Sequence, residues 1–298
     1  MSALFLCFKT SNLPFKELLY KTEKSELYDK IRDISLKAGI SMYLPSFHLK
    51  NKLAVITGAG RGIGRALAIG YAEAGADVVL LSRTEGDLLE AADEIKAMGQ
   101  KAFPIVTDVT DKNSINQAFE QIKEINPAID ILINNAGMNI RSKAFDVTEE
   151  EWETIMNTNL KSAFFMSQKA GELMKQQGNG GRIINISSVA GHTALRTGVV
   201  YAQTKAAMIQ MTKVLAFEWG QHNIAVNSIG PWYFETPLTE KILSDEKYVS
   251  DILAVTPLKR IGQLPELVGP AVFLGSDAAS YITGQTLFVD GGMTIQGF

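Results

Sequence analysis

The sequence predicts an α/β protein with a doubly wound parallel sheet and helices on both faces, which gives three layers. Short apolar runs alternate with helical runs four times between residues 53 and 133, and this alternation is typical of a parallel sheet. The 298 residues are 46% apolar, which is ample for a large core. Because no linker or change of composition divides the chain after residue 42, we expect a single domain over residues 42–298.

The composition of the chain excludes several classes of function. A net charge of −3 provides no basic surface for nucleic acid. The single cysteine, Cys7, rules out an intrachain disulfide and a cysteine metal cluster, and it suits a reducing cytosol. The histidines at positions 48, 192 and 222 have no metal-ligand spacing. We therefore expect a cytoplasmic protein with no metal ion and no nucleic-acid partner.

The first 41 residues are predicted to be an extension without a chemical role. The apolar opening MSALFLCF has no basic residues before it and is too short for a signal peptide or a membrane span. Residues 9–41 are charged and show only broken helical spacing. One interpretation is that Met42 is the natural start and that the segment before it is a translated leader or an appended arm. The other is a helix that docks on the fold or on a neighbouring subunit.

The first strand, Leu53–Thr57, leads into a predicted phosphate cradle. It is followed by the turn GAGRGIG at residues 58–64 and by a helical run that ends at Gly75. Glycines allow a tight turn and a close approach of the backbone, and the start of the next helix offers free N–H groups to an anion. Since a strand precedes the turn and a helix follows it, the turn fits a dinucleotide cofactor.

The end of the second strand indicates which nicotinamide cofactor is preferred. A site for NAD(H) is expected to place an acidic residue there, where it binds the ribose 2′-hydroxyl. Here the strand Asp77–Leu81 is followed by Ser82 and Arg83. A guanidinium can pair with the 2′-phosphate of NADP(H), so NADP(H) is preferred and NAD(H) stays possible. The alternative is that Arg83 is a solvated loop charge.

The next two strands end in residues that suit the same edge of the sheet. The third predicted strand, residues 101–106, leads to Asp108 and Val109, and the fourth, Ile129–Ile133, ends in the sequence NNAG at residues 134–137. Thr148 and the glutamates after it form a predicted capping box for a helix. The apolar helical run that follows contains Asn159.

A tyrosine and a lysine form a predicted acid/base pair. Tyr201 and Lys205 lie four residues apart in a helical run, and therefore on one helix face. An ammonium beside a phenol lowers the phenol pKa from about 10 toward neutrality, which makes the phenol a usable proton donor or acceptor. Ser188 follows the buried strand RIINIS, and such strand ends are where α/β sheets place chemistry. We expect its hydroxyl beside the phenol.

These residues together establish a resemblance. From about Lys50 to Gly292 the chain resembles the short-chain dehydrogenase/reductase family, in its single-domain branch, which implies a Rossmann-type fold. The matches are the loop from Thr57 to Gly64, Asp108, the NNAG sequence, Asn159, Ser188, and Tyr201 with Lys205. Their order and spacing taken together make the resemblance specific.

The resemblance implies a role for each matched residue. Tyr201 would be the general acid in ketone reduction and the general base in alcohol oxidation, while Ser188 would polarise the carbonyl oxygen. Lys205 would hold the nicotinamide ribose and lower the Tyr201 pKa, and Asn159 would anchor a water that relays protons to Lys205. Asp108 would contact the adenine ring. The residues implied in cofactor binding are Gly58, Arg61, Gly62, Ile63, Gly64, Ser82, Arg83, Asp108, Val109, Asn135, Ala136, Gly137, Tyr201, Lys205, Pro231 and Thr236.

One segment departs from the family pattern. After the strand IAVNSI, relatives have Pro-Gly, whereas here Pro231 is followed by Trp232. Relatives place that glycine beside the nicotinamide, so we expect an altered pocket wall and a retained cofactor. Family members with the ending found here, from Gln285 to Gly292, commonly form tetramers, and a homotetramer is therefore expected.

A few side chains are candidates for contact with the substrate. Arg141 is expected at the pocket mouth, where its guanidinium could pair with a carboxylate; the alternative is a solvent-facing arginine. The segment from His192 to Thr197 is expected to line the pocket because it lies between Ser188 and Tyr201. The candidate substrate residues are Arg141, Ser188, His192, Arg196 and Trp232.

The segments NNAGMNIR and GPWYFETPLT are similar to those of gluconate 5-dehydrogenase-type sugar-acid oxidoreductases. The resemblance implies hydride transfer between a nicotinamide cofactor and a ketone or secondary alcohol, most closely a keto sugar acid such as 5-keto-gluconate. The alternative function is that of a 3-oxoacyl-carrier-protein reductase, which shares nearly all the motifs. A catalytically silent cofactor-binding relative is a third interpretation, and the presence of Asn159, Ser188, Tyr201 and Lys205 argues against it.

Overall fold

The computed structural model describes residues 43–196 and 198–295. One compact unit runs from Phe47 to Phe298, and the segment that ends at Ser46 is a separate unit. The expected extension of residues 1–41 and the boundary at Met42 lie outside the described residues. Within the described part of the chain, no helix is both long and apolar enough to cross a membrane.

Seven parallel strands form one sheet in the order β3-β2-β1-β4-β5-β6-β7. The strands are β1 (Leu53–Thr57), β2 (Asp77–Ser82), β3 (Ala102–Val106), β4 (Ile131–Asn134), β5 (Gly181–Ile186), β6 (Ile224–Pro231) and β7 (Thr286–Val289). Each lies within two residues of its expected bounds. The predicted doubly wound parallel sheet is confirmed.

Helices cover both faces of this sheet. They are α1 (Gly62–Glu73), α2 (Glu85–Ala97), α3 (Lys112–Ile125), α4 (Glu149–Met156), α5 (Ser162–Gln176), α6 (Val199–Trp219), α7 (Glu240–Leu243), α8 (Glu246–Ala254) and α9 (Leu264–Gly275). The expected cap of α4 is present, since the Thr148 hydroxyl accepts a hydrogen bond from the Glu151 amide at 3.2 Å.

The two apolar layers are separated by the alternation of side chains along the strands. In β1, Ala54 and Ile56 pack in the cluster that contains Leu67 of α1. Val55 points the other way and packs in the cluster that contains Phe119 of α3. Each strand therefore contributes to two cores, which gives the expected three layers.

The order of the strands determines where a ligand can bind. The chain builds outward from β1 to β3 and then starts β4 on the other side of β1. In doubly wound sheets, ligands bind beyond the carboxyl ends of the strands where the order reverses in this way. The residues that follow β1, β4 and β5 meet at that edge.

A buried polar chain fixes the two long helices against the sheet. The Asn134 side chain of β4 donates hydrogen bonds to the Ser167 hydroxyl of α5 and to the side-chain oxygen Oδ1 of Asn185 in β5, both at 2.8 Å. Asn185 in turn donates to the Thr212 hydroxyl of α6 at 2.9 Å. Buried amides must be hydrogen-bonded. These hydrogen bonds therefore favour one position on the sheet for α6, the helix that carries Tyr201 and Lys205.

Candidate active site

A cavity of about 810 Å³ opens at the carboxyl edge of the sheet. It brings together the glycine turn after β1, the ends of β2 and β4, Ser188 after β5, and Tyr201 and Lys205 of α6. All the residues implied in cofactor binding line this one cavity. A cavity of this size at this position is typical of a small-molecule site.

The glycine turn has a backbone that fits an anionic group. Gly58 and Gly62 adopt φ values of +65° and +55°, which glycine tolerates best. A Cβ on Gly64 would lie 2.1 Å from the Gly58 carbonyl oxygen, so only glycine permits this close packing. The Asn135 side chain donates to the carbonyl oxygens of Thr57 and Gly58 at 3.0 and 3.2 Å. These contacts hold the turn in shape, and the free N–H groups at the start of α1 suit the diphosphate of a dinucleotide.

Asp108 and Arg83 carry opposite charges at the end of the cavity where the adenosine part of the cofactor is expected. Partial burial raises the pKa of Asp108, but the hydrogen bonds that it accepts from Thr110 and the positive charge of Arg83 outweigh the burial, so the pKa lies below its ordinary value. Thr110 donates to the Asp108 carboxylate through its amide at 2.9 Å and its hydroxyl at 2.7 Å. Ser82 and Arg83 line the cavity beside this pair. The residues Ser82, Arg83 and Thr84 after β2 include no carboxylate that would repel a 2′-phosphate.

The Ser188 hydroxyl and the Tyr201 phenol line the cavity together. Burial raises the pKa of Tyr201, and the nearby Ser188 hydroxyl and the charge of Arg141 offset that rise only in part. The expectation of a lowered pKa is therefore wrong for this structure. The opposing charge comes from Arg141, not from Lys205.

Lys205 is buried beneath the tyrosine. Its Nζ lies 5.6 Å from the centroid of the Tyr201 ring and donates a hydrogen bond to the Ile186 carbonyl oxygen at 2.8 Å. Burial lowers the pKa of Lys205 to about 8. A cation in this position is costly without further partners, so the site suits a ligand that brings hydroxyl oxygens to Nζ.

Asn159 lies in a single turn of π-helix, Asn157–Lys161, between α4 and α5. Its side chain accepts from the Met138 amide and donates to the Met138 carbonyl oxygen, both at 2.8 Å. A Cβ on Gly137 would lie 3.3 Å from Asn159 Oδ1 and 3.7 Å from Lys205 Nζ. Gly137 therefore separates the asparagine from the lysine. The sequence analysis treated this stretch as a continuous helix and missed the π turn, which often marks functional sites.

The candidate substrate residues divide into two groups. Arg141 and Trp232 line the cavity together with Ser188. His192 instead packs against the Phe288 ring, with centroids 5.1 Å apart. Arg196 pairs with Asp251 of α8 at 2.9 Å. Neither of these last two residues lines the cavity.

Trp232 forms part of the pocket wall and leaves the course of the strand intact. β6 continues through Pro231, and the Trp232 amide still donates to the Val289 carbonyl oxygen of β7 at 3.2 Å. The indole N–H is directed away to the Thr256 hydroxyl at 3.0 Å. The altered wall is thus held in place by its own hydrogen bond.

Two tyrosines beside Arg141 were missed by the sequence analysis. Arg141 Nη1 donates to the Tyr248 hydroxyl at 3.0 Å. Burial raises the pKa of Tyr233, and the charge of the Arg141 guanidinium opposes that rise. Tyr233 directly follows Trp232 and lines the cavity, whereas Tyr248 lies on α8. Since 107 residues separate Arg141 from Tyr248, no local pattern could have joined them.

Comparisons with known proteins agree with this geometry. Residues 58–294 match a sequence family described as enoyl-(acyl carrier protein) reductase. The gluconate 5-dehydrogenase of Gluconobacter oxydans (strain 621H) is 41% identical over 84% of this chain and 97% of that protein. The 2-dehydro-3-deoxy-D-gluconate 5-dehydrogenase of Escherichia coli (strain K12) is 38% identical over 84% of this chain and 98% of its own length.

A solved structure gives the same result for the fold. The crystal structure of a gluconate 5-dehydrogenase from Burkholderia cenocepacia J2315, in complex with NADP and tartrate, superposes with a TM-score of 0.82. It is 38% identical and covers 86% of this chain and 100% of its own.

The burial of Lys205 predicts a pH-dependent cost in stability. The pKa of Lys205 is about 8 in the folded protein and about 10.4 in an unfolded chain. The unfolded state therefore binds more protons between these pH values, so the cost is fully present below pH 8 and is relieved as the pH rises toward 10.4. We expect Lys205→Met to raise the free energy of unfolding at pH 7 by roughly a few kcal/mol, and to raise it less at pH 10.

Urea unfolding of the wild type and the variant at both pH values measures this difference. Lys213→Met is the matched control, because Lys213 lies on the same helix and is exposed. A gain in Lys205→Met that is equal at pH 7 and pH 10 would contradict the argument.

Proposed function

The chain belongs to the short-chain dehydrogenase/reductase family of NAD(P)-dependent oxidoreductases, and we propose that it interconverts a keto sugar acid and its hydroxy acid, such as 5-keto-gluconate and gluconate. The observation that carries this proposal is the position of Arg141. Its guanidinium lines the same cavity as Ser188 and Tyr201, and its charge acts on the Tyr201 phenol. In 5-keto-gluconate the carboxylate is C1 and the ketone is C5, so a substrate whose carboxylate pairs with Arg141 would extend along the cavity and place C5 at the phenol.

The reaction needs only positioning and proton transfer from the chain's own residues. A bound nicotinamide cofactor supplies or accepts the hydride. Ser188 donates a hydrogen bond to the substrate oxygen, and Tyr201 gives a proton to that oxygen or takes one from it. Lys205 would bind the hydroxyl groups of the cofactor ribose, and Asn159 holds the Met138 backbone next to Gly137 through two hydrogen bonds.

Several observations support NADP(H) as the preferred cofactor. Arg83 lines the adenosine end of the cavity and lies close enough to Asp108 to affect its pKa. A guanidinium in this position pairs with the 2′-phosphate. The gluconate 5-dehydrogenase of Burkholderia cenocepacia was crystallised with NADP, which agrees with this assignment.

Two exposed aromatic side chains support the expected homotetramer. Phe217 of α6 is 90% exposed, and Tyr281, shortly before β7, is fully exposed. Large apolar side chains in such positions mark association surfaces. Light scattering should give a mass of four chains, whereas a monomer mass would refute the proposal. The single cysteine is consistent with the cytoplasm as the working compartment.

The competing function is the reduction of a 3-oxoacyl thioester. The description of the matching sequence family, enoyl-(acyl carrier protein) reductase, favours it. Arg141 argues against it, because a neutral ketone chain offers no charge to a guanidinium at the cavity wall. A catalytically silent relative is disfavoured because Asn159, Ser188, Tyr201 and Lys205 are all present.

Oxidation of NADPH with 5-keto-gluconate and with acetoacetyl-CoA, followed optically in parallel, tests the proposal. We expect turnover of the keto acid, with a loss in kcat/KM of about 100-fold in Arg141→Ala, because a charge-assisted hydrogen-bonded pair is worth about 1.5–3 kcal/mol.

Tyr201→Phe should lose nearly all turnover and keep NADPH binding, since it removes only the proton donor. Turnover of the thioester alone would assign the enzyme to fatty-acid chemistry and make Arg141 a surface residue.

Cofactor preference is tested by Arg83→Ser. We expect kcat/KM for NADPH to fall roughly 10- to 100-fold, because the 2′-phosphate loses its charged partner. Because NADH lacks that phosphate, its kcat/KM should stay within about twofold of the wild type and serves as the internal control. An equal loss with both cofactors would mean that Arg83 supports the fold of the site and does not select the phosphate.

A further inference from the structure

We infer that Tyr233 and Tyr248 join Arg141 in a binding site for the substrate carboxylate, with Tyr233 in contact with the ligand and Tyr248 positioning the other two. This inference rests on the proposed function and names the feature of the substrate that the cavity selects. It concerns two residues to which the family resemblance assigns no role.

Hydrogen-bond geometry makes this cluster rich in donors. The Tyr233 and Tyr248 hydroxyl oxygens are 2.7 Å apart, so one of them donates to the other. The Tyr248 oxygen also accepts from the Arg141 guanidinium at 3.0 Å, and the positive charge of that guanidinium acts on the Tyr233 phenol. Two phenols carry two O–H groups, and only one is used between them.

The second O–H group has no acceptor among the described residues other than this pair. Tyr233 lines the cavity, and Tyr248 does not. The favoured arrangement therefore has Tyr248 donating to Tyr233, which leaves the Tyr233 O–H directed into the cavity. Less than a tenth of Tyr233 is exposed, and burial, as the main cause, raises its pKa to about 12. The proton thus stays on Tyr233 at neutral pH.

A free phenol O–H beside a guanidinium is complementary to a carboxylate. An ionised carboxylate is an acceptor only, with two oxygens that can each take hydrogen bonds. A neutral CH₂OH group in the same place could accept one hydrogen bond, but it offers one oxygen instead of two and would not balance the charge of Arg141. The cluster should therefore distinguish a sugar acid from the corresponding polyol.

Surrounding contacts hold the two tyrosines in place. The Trp232 and Tyr233 rings pack edge to face with centroids 4.6 Å apart. The centre of the Tyr248 ring on α8 lies 5.3 Å from the Arg196 guanidinium. That guanidinium also pairs with Asp251 of the same helix at 2.9 Å. Arg196, expected in the sequence analysis to contact substrate, thus acts here as a support for Tyr248.

Ligand binding can be measured without turnover. The full-length chain saturated with NADPH, which cannot accept a hydride from an alcohol, is titrated calorimetrically with D-gluconate and with D-glucitol, which differ only in carboxylate against CH₂OH. We expect the wild type to bind gluconate at least about tenfold more tightly than glucitol. Tyr233→Phe should weaken gluconate binding about tenfold, since it removes one hydrogen bond to a charged group, and should leave glucitol binding unchanged.

The test of Tyr248 needs a measurement that distinguishes positioning of Arg141 and Tyr233 from general support of the fold, and the separate values of KM and kcat provide it. With the keto acid as substrate, Tyr248→Phe should raise KM several-fold and keep kcat within about twofold, because the ring that Arg196 covers is retained. Tyr43→Phe is the matched control and should change neither value, since Tyr43 is 97% exposed and does not line the cavity.

The outcomes separate this inference from the proposed reaction. Equal affinity of the wild type for gluconate and glucitol would overturn the inference, as would an equal loss of both ligands in Tyr233→Phe. Selective gluconate binding that depends on Tyr233 would support it even if 5-keto-gluconate were not reduced. In that case only the proposed reaction would fail.

Discussion

The hydrogen bond from Lys205 Nζ to the Ile186 carbonyl oxygen joins the helix that carries the acid/base pair to the carboxyl end of β5. Ile186 is the last residue of that strand, and Ser188 follows two residues later. Together with the hydrogen bond that the Ser187 hydroxyl donates to the Lys205 carbonyl oxygen at 2.9 Å, this interaction fixes the position of the Tyr201 helix relative to Ser188. Its cost is a buried ammonium whose pKa falls to about 8. The other groups of the site reduce the free-energy cost of burying the Lys205 ammonium.

The core under the site is organised for the same purpose. An apolar contact between α6 and the sheet would allow the helix to slide, because apolar packing is not directional. The Asn134, Asn185 and Thr212 chain is directional and would leave buried donors unpaired after a shift. These buried polar groups lower stability relative to an apolar contact, but they hold Tyr201 in a defined position relative to Ser188.

Sequence analysis succeeded where the controlling interactions are local. The strand bounds follow from short apolar runs, and the glycine turn follows from positive φ values and a close approach that no other residue permits. The Thr148 cap is likewise a matter of adjacent residues. The failures concern contacts between distant segments. The Tyr248 hydroxyl reaches Arg141 only after α8 folds over the cavity mouth, and the placement of His192 against Phe288 depends on β7. The pKa of Tyr201 was misjudged because spacing predicts a neighbouring charge but not the depth of burial.

The charge at the mouth of the cavity links substrate recognition to proton transfer. In the structure, Arg141 is the cation that opposes the rise in the Tyr201 pKa caused by burial. On the proposed function, a substrate carboxylate would neutralise that cation when it binds. The Tyr201 pKa would then rise further, because an opposite charge that favoured the phenolate has been compensated. Because burial already keeps the phenol protonated at neutral pH, this rise adds no protonation and makes Tyr201 a weaker acid. Proton donation in the bound complex would therefore depend on the developing alkoxide, which is a much stronger base than a phenolate. A ketone without a carboxylate would leave the Arg141 charge uncompensated and the phenol more acidic.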